Sequence, residues 1–84
     1  MDKDWFIYIL ECSDKTLYTG ITTDLYRRID EHNKSEKGAK YTKARRPVRM
    51  VYFEPSENRS TASKREKEIK NLTRKAKMVL IRHF

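Results

Sequence analysis

Apolar residues along the chain fall into short runs and one-sided stripes, and each has its own period. Trp5-Phe6-Ile7-Tyr8-Ile9-Leu10 is β-branched and aromatic and reads as a buried strand. Ser13-Asp14-Lys15 is a turn signal, and Thr16 to Ile21 reads as the returning strand of a hairpin. Thr22, Thr23 and Asp24 are all good N-caps for the helical pattern that follows, which runs through Asn33. Lys34 to Lys40 is polar and holds Gly38, so it reads as a loop. Tyr41 to Arg46 is expected as a short helical turn ended by Pro47. Val48 to Glu54 is a third strand, broken by Pro55-Ser56-Glu57-Asn58. Ser60 or Thr61 opens a helix to about Leu72, and Thr73 caps a last helix, Arg74 to Arg82. The order β-β-α-β-α-α predicts one α+β domain over residues 1–84: a small three-stranded sheet, mixed or antiparallel, packed with helices.

Polar residues interrupt the apolar faces at three places. Leu25, Arg28, Ile29 and His32 recur at i, i+3, i+4, i+7, one face of a helix, and two of the four are polar. Either both lie at the edge of the stripe, with Arg28 snorkelling and His32 packing its ring, or the stripe ends in a pocket where they meet a ligand. In the next long helix Ala62, Ile69 and Leu72 define the inner face, and Glu66 shares it. That carboxylate could close a capping box with Ser63, pair with Arg28 or bind a metal. The box is the weak option, because Ser60 or Thr61 starts the helix more naturally. In the strands, Tyr8 shares a face with Phe6 and Leu10, and Tyr18 with Thr16 and Gly20. An odd hairpin loop centred on Ser13 would set Tyr8 opposite Tyr18, whereas an even one would separate them by parity. Two neighbouring phenols form a hydrophobic pair or part of a site. Gly20 removes a side chain beside them, which admits a ligand backbone or marks a bulge.

Composition narrows the class. The chain has 84 residues, nine of them aromatic, with only two glycines and two prolines, which argues against disorder and against two full domains. Cys12 is the single cysteine, so an internal disulfide and the usual cysteine-based zinc sites are excluded. No stretch approaches the ~18 apolar residues of a membrane span, and Trp5 to Leu10 is too short for a signal peptide. The expectation is a cytoplasmic domain with no membrane partner. Charge is uneven: residues 1–42 hold 7 Lys+Arg against 8 Asp+Glu, residues 43–84 hold 13 against 4. Between Lys37 and Arg49 stand six cations and no carboxylate. Such asymmetry points to a polyanion, nucleic acid before others, although a solvated basic face would also produce it. Within that stretch Lys40, Tyr41, Lys43, Arg45 and Arg46 are the candidates to grip a phosphate backbone, with Gly20 allowing close approach.

Ile7-Tyr8, nine residues, then Tyr18-Thr19-Gly20 resembles the two half-motifs of the GIY-YIG nuclease superfamily. The first half-motif has Phe6 where its glycine would stand. The following Thr22-Thr-Asp-Leu-Tyr-Arg-Arg28 segment, in full Tyr18 through Asn33, resembles the family's capped helix with its Arg-Ile-x-x-His-Asn run. Ala62 to Lys70 resembles the later helix with the metal-binding glutamate. The resemblance covers nearly the whole chain and is to the small standalone bacterial members.

Carried over by position, the resemblance implies Tyr8, Tyr18, Arg28, His32 and Glu66 as catalytic residues, with Asn71 as a looser match. Ile21 stands where some relatives carry a lysine, which argues against a mechanism needing a cation there. The implied activity is a Mg²⁺- or Mn²⁺-dependent endonuclease cutting DNA, in repair or recombination, with Glu66 as the protein ligand of a single metal. A two-metal site is not expected, since no second inward carboxylate is found. With no appended recognition domain, a protein partner or a homodimer would supply specificity. The competing expectation is a module of the same fold that binds nucleic acid and has lost catalysis.

Overall fold

In the computed structural model, which describes residues 4–84, β1 (Trp5–Glu11) is the middle strand of a sheet ordered β2-β1-β3. Both neighbours, β2 (Leu17–Thr22) and β3 (Arg49–Ser56), pair with it antiparallel, so the sheet is purely antiparallel. The central position explains why β1 is the most apolar stretch: Ile7, Ile9 and Leu10 are fully buried, as expected for a strand covered on both faces. Side chains alternate. Ile7 and Ile9 pack with Ala62 and Ile69 of α3 (Arg59–Lys70) and with Leu80 and Ile81 of α4 (Arg74–Arg82). Tyr8 and Leu10 point to the other face, among Leu25 and Ile29 of α1 (Leu25–Lys34). A one-turn helix, α2 (Lys40–Lys43), packs against α1. The sheet is therefore the middle layer, with α1 on one side and α3 and α4 on the other. Each fully buried isoleucine contributes about 1.5–3 kcal/mol to holding these layers together.

Local chemistry sets the boundaries. The hairpin loop has an odd number of residues, but it is centred on Asp14 and not on Ser13, so Tyr8 faces Gly20 and Tyr18 faces Leu10. The two tyrosines keep the same face, one step apart along the strands. Asp24 is the N-cap of α1 and its carboxylate accepts from the Arg27 N–H at 3.1 Å. α3 starts earlier than Ser60 or Thr61, because Asn58 caps it in a reciprocal box with Thr61. Glu66 thus plays no capping role. Thr73 caps α4 as expected. Pro55 does not end β3, which runs on to Ser56; an edge strand has one side with no ladder bonds to lose. A bulge opposite Ile9 and Leu10 sends both Val51 and Tyr52 to the α3/α4 side while Met50 and Phe53 face α1.

Candidate active site

The α1 side of the sheet holds a buried polar chain. Tyr8 is 1% exposed and its ring lies across Gly20: a Cβ there would sit 2.5 Å from the phenol oxygen. The glycine therefore makes room for Tyr8 and not for a ligand backbone. Tyr8 Oη lies 2.7 Å from His32 Nε2, and His32 Nδ1 lies 2.8 Å from Thr42 Oγ1. The Thr42 hydroxyl donates to the Ala39 carbonyl at 2.9 Å, so its oxygen is free to accept from Nδ1–H. The Ala39 N–H also points at Nδ1, but from 3.4 Å, so we assign the tautomer on the two shorter contacts: Nδ1 carries the proton, and the Nε2 lone pair receives the Tyr8 O–H. His32 is fully buried and bonded at both ring nitrogens, so it is not an edge residue of the stripe. Gly38 lets the following loop close on α1; a Cβ there would meet the Glu31 carbonyl oxygen at 2.7 Å.

Around this chain stand the other sequence candidates. The Tyr18 ring centroid is 5.2 Å from that of His32 and 6.5 Å from that of Tyr8. Tyr41 stacks on Tyr18 with centroids 6.0 Å apart. Arg28 Nη1 donates to Glu31 at 2.9 Å and to the Lys37 carbonyl at 2.8 Å, which fixes its guanidinium beside the Tyr8 phenol. Glu66 does not pair with Arg28; its partner is Lys70, one turn on, at 3.4 Å. Its charge nevertheless reaches Tyr8 and opposes ionisation of the phenol. Tyr8, Tyr18, Arg28 and His32 are thus assembled in contact, with Glu66 in electrostatic reach from α3.

Burial dominates the titration of this group. It pushes the Tyr8 phenol up to about 12, with Tyr18 adding to the rise and Arg28 opposing it. It lowers the His32 imidazole to about 4, helped by the positive charges of Arg28 and Arg46. Burial also works against the Arg28 charge, but Glu31 and the Tyr8 phenol outweigh it and hold Arg28 above its usual value. At neutral pH the pair is therefore a neutral phenol donating to a neutral imidazole.

The basic stretch is largely tied up within the protein. Arg46 donates from Nε to the His32 carbonyl at 2.6 Å and from Nη2 to those of Ser35 at 2.7 Å and Glu31 at 3.3 Å. It is a clamp on the last turn of α1, not an open phosphate contact. Arg45 pairs with Asp14 at 3.0 Å and lies 3.8 Å over the Tyr41 ring, and Lys43 pairs with Glu36 at 3.3 Å. Lys40 is exposed and forms no ion pair among the described residues. Sequence reasoning missed Thr42, Glu31 and Gly38, which orient His32, hold Arg28 and admit the loop. Thr42 and Gly38 fall on no helical or strand period with their partners; Glu31 does, at i+3 from Arg28, and that spacing was the signal for it.

Among the described residues no three His, Cys, Asp or Glu side chains cluster as a metal cage. Glu66 alone fits a hard cation: it is an oxygen donor whose side chain is 22% exposed, with room for water as further ligands. That donor set suits Mg²⁺ or Mn²⁺ and does not suit zinc.

A three-stranded sheet carrying paired tyrosines, an arginine and histidine on α1 and a carboxylate on α3 defines a class. The family model of the GIY-YIG catalytic domain matches residues 4–79, and the chain belongs to that family. The family is one of nuclease domains, which implies a nucleic-acid substrate. A UPF0213 protein of Desulfotalea psychrophila is 58% identical over 78 residues, covering 93% of this chain and 71% of that one. A UPF0213 protein of Staphylococcus aureus is 53% identical, covering 92% and 93%. The solution structure of a protein from E. faecalis is 45% identical with a TM-score of 0.66, covering 99% of this chain and 88% of that one. That of a UPF0213 protein from Bacillus halodurans is 45% identical with a TM-score of 0.59, covering 93% and 82%. No described helix is long and apolar enough to cross a membrane.

Proposed function

We propose that the chain is an endonuclease that hydrolyses phosphodiester bonds in DNA and depends on Mg²⁺ or Mn²⁺ at Glu66. The observation that supports it most is the buried Tyr8–His32–Thr42 chain, which ends on a phenol beside Arg28. Hydrolysis of a phosphodiester needs a proton taken from the attacking water and a partner for the charge that builds on phosphorus. Arg28 presents a planar fork of donors to the phosphate and, being held by Glu31 and the Lys37 carbonyl, needs little reordering to do so. The Tyr8 oxygen accepts the water proton as its own proton passes to His32 Nε2, leaving hydroxide to attack. Thr42 keeps the accepting lone pair aimed at the phenol.

A buried imidazole near pKa 4 is a weak acceptor in the substrate-free protein. Phosphate charge brought beside it opposes what burial and Arg28 do, and raises its affinity for the proton when substrate is in place. Tyr18, packed edge-on to His32, walls the chain from solvent. Glu66 would hold a hydrated cation, which when bound would supply Lewis acidity to the phosphate and the leaving oxygen. Glu66 would leave Lys70, its i,i+4 neighbour at 3.4 Å, to take that role.

The test is single-turnover cleavage of labelled DNA by wild type, Tyr8→Phe and Arg28→Ala. Both variants are expected to lose about 10²-fold or more in rate. Rates equal to wild type would remove both residues from the mechanism. Salt-sensitive DNA binding with no cleavage by any form would favour the non-catalytic binding module.

A further inference from the structure

The basic residues of this chain divide into two populations by what they touch. Of the six cations from Lys37 to Arg49, four are engaged internally: Lys43 with Glu36, Arg45 with Asp14, Arg49 with Glu11, and Arg46 with helix carbonyls. From Arg59 to Arg82 there are nine cations and two carboxylates, and only Arg65 and Lys70 form ion pairs among the described residues. The local excess of positive charge therefore lies on α3 and α4 and not on the stretch that looks most basic in sequence.

On α3 that excess is ordered. Ser60, Lys64, Lys67 and Asn71 recur at i, i+4, i+7, i+11, and all four are exposed. They form one outward stripe of ammonium, hydroxyl and amide groups with no carboxylate on it. Glu68, exposed at i+4 from Lys64, borders the stripe, but its carboxylate is held by Arg65 at 3.3 Å and forms no ion pair with Lys64 or Lys67 among the described residues. Ser63, Lys67 and Lys70 run alongside at i, i+4, i+7, and Lys70 holds Glu66 at 3.4 Å. The stripe thus continues without interruption to the carboxylate at the site.

We infer that the outer face of α3, centred on Lys64 and Lys67, is the track for the phosphate backbone of DNA leading to Glu66. The inference rests on the proposed nucleic-acid function and names the surface that serves it. Ammonium, hydroxyl and amide donors along one face suit phosphate oxygens, which are repeated acceptors of one sign. Such contacts act without regard to sequence and are lost steeply as salt rises.

The experiment measures the affinity of a fluorescent DNA duplex between 50 and 200 mM salt in EDTA, where binding proceeds without cleavage. Wild type, Lys64→Gln/Lys67→Gln and Lys40→Gln/Lys43→Gln are compared. All four lysines are at the surface, and a thermal melt confirms that each variant is folded. The α3 pair is expected to make the slope of log affinity against log salt shallower by about two, with weaker binding at low salt. The α2 pair is expected to change the slope by less than one. An unchanged slope in the α3 pair, or an equal loss in both pairs, would overturn the inference and leave the proposed nuclease intact. Wild type that binds no duplex at any salt would overturn the inference together with the DNA-binding part of the proposed function.

Discussion

The Tyr8 hydroxyl is held on three sides: by His32 Nε2 at 2.7 Å, by the Arg28 guanidinium, and by a backbone that offers no side chain at Gly20. This confinement has a measurable thermodynamic mark at His32. Its pKa falls from the ordinary imidazole value of 6.5 to about 4 on folding, so the unfolded chain binds more protons between those values. Stability from this source is complete above about pH 6.5 and is lost as pH falls toward about 4. Between pH 7.5 and pH 5 the loss is about 2 kcal/mol. Denaturant unfolding at the two pH values is expected to show that drop in wild type and a much smaller one in His32→Gln. Equal drops in both would mean that His32 is not the group responsible. Arg28 and His32 were legible in the sequence because polar residues on an apolar stripe stand out. Thr42 was not, since its partner lies ten positions away in a different helix and no periodicity links them. In sequence Gly20 admits a ligand backbone or marks a bulge, and only the register, with Tyr8 opposite, shows that the space is taken by the protein itself.

Among the elements, α1 carries the site and its ends are fixed by residues outside it. Asp24 caps its start, and Arg46 donates to three carbonyls of its last turn and beyond. Asn33 pinches the first residue before β3, accepting from the Val48 N–H at 2.7 Å and donating to its carbonyl at 3.0 Å. Together these place His32 at the depth of Tyr8. Replacing Arg46 by Gln is expected to cost about 2 kcal/mol in chemical denaturation, because charge-assisted donors to helix carbonyls are lost. The same variant is expected to leave the salt slope of DNA binding unchanged. A shallower slope with full stability would instead make Arg46 a phosphate contact. The strands and the three longer helices were legible to within two residues from their periods and caps, whereas the turn expected to Arg46 ends at Lys43. The bulge at Val51 was not, since an extra residue in β3 breaks the alternation that strand reading depends on. Nor was the start of α3, where three residues able to cap stand close together and the strand end decides among them.

At the scale of the molecule, sequence located the charge and the fold located its use. The sequence count puts the surplus after residue 42, but which cations are neutralised depends on loops and strands far apart in the chain, such as Asp14 beside Arg45 and Glu11 beside Arg49. What remains is a basic α3 face on one layer and a buried proton chain on the other, with Glu66 between them in electrostatic reach of Tyr8. The account stands or falls on whether that carboxylate serves hydrolysis. The most direct measurement is cleavage of a panel of duplex, single-strand, flap and junction DNA in Mn²⁺ at low salt, by wild type and Glu66→Ala purified in parallel. Cleavage by wild type on at least one substrate, absent in the variant, is the expected result. Equal cleavage by both, or none by either on any substrate, would contradict it.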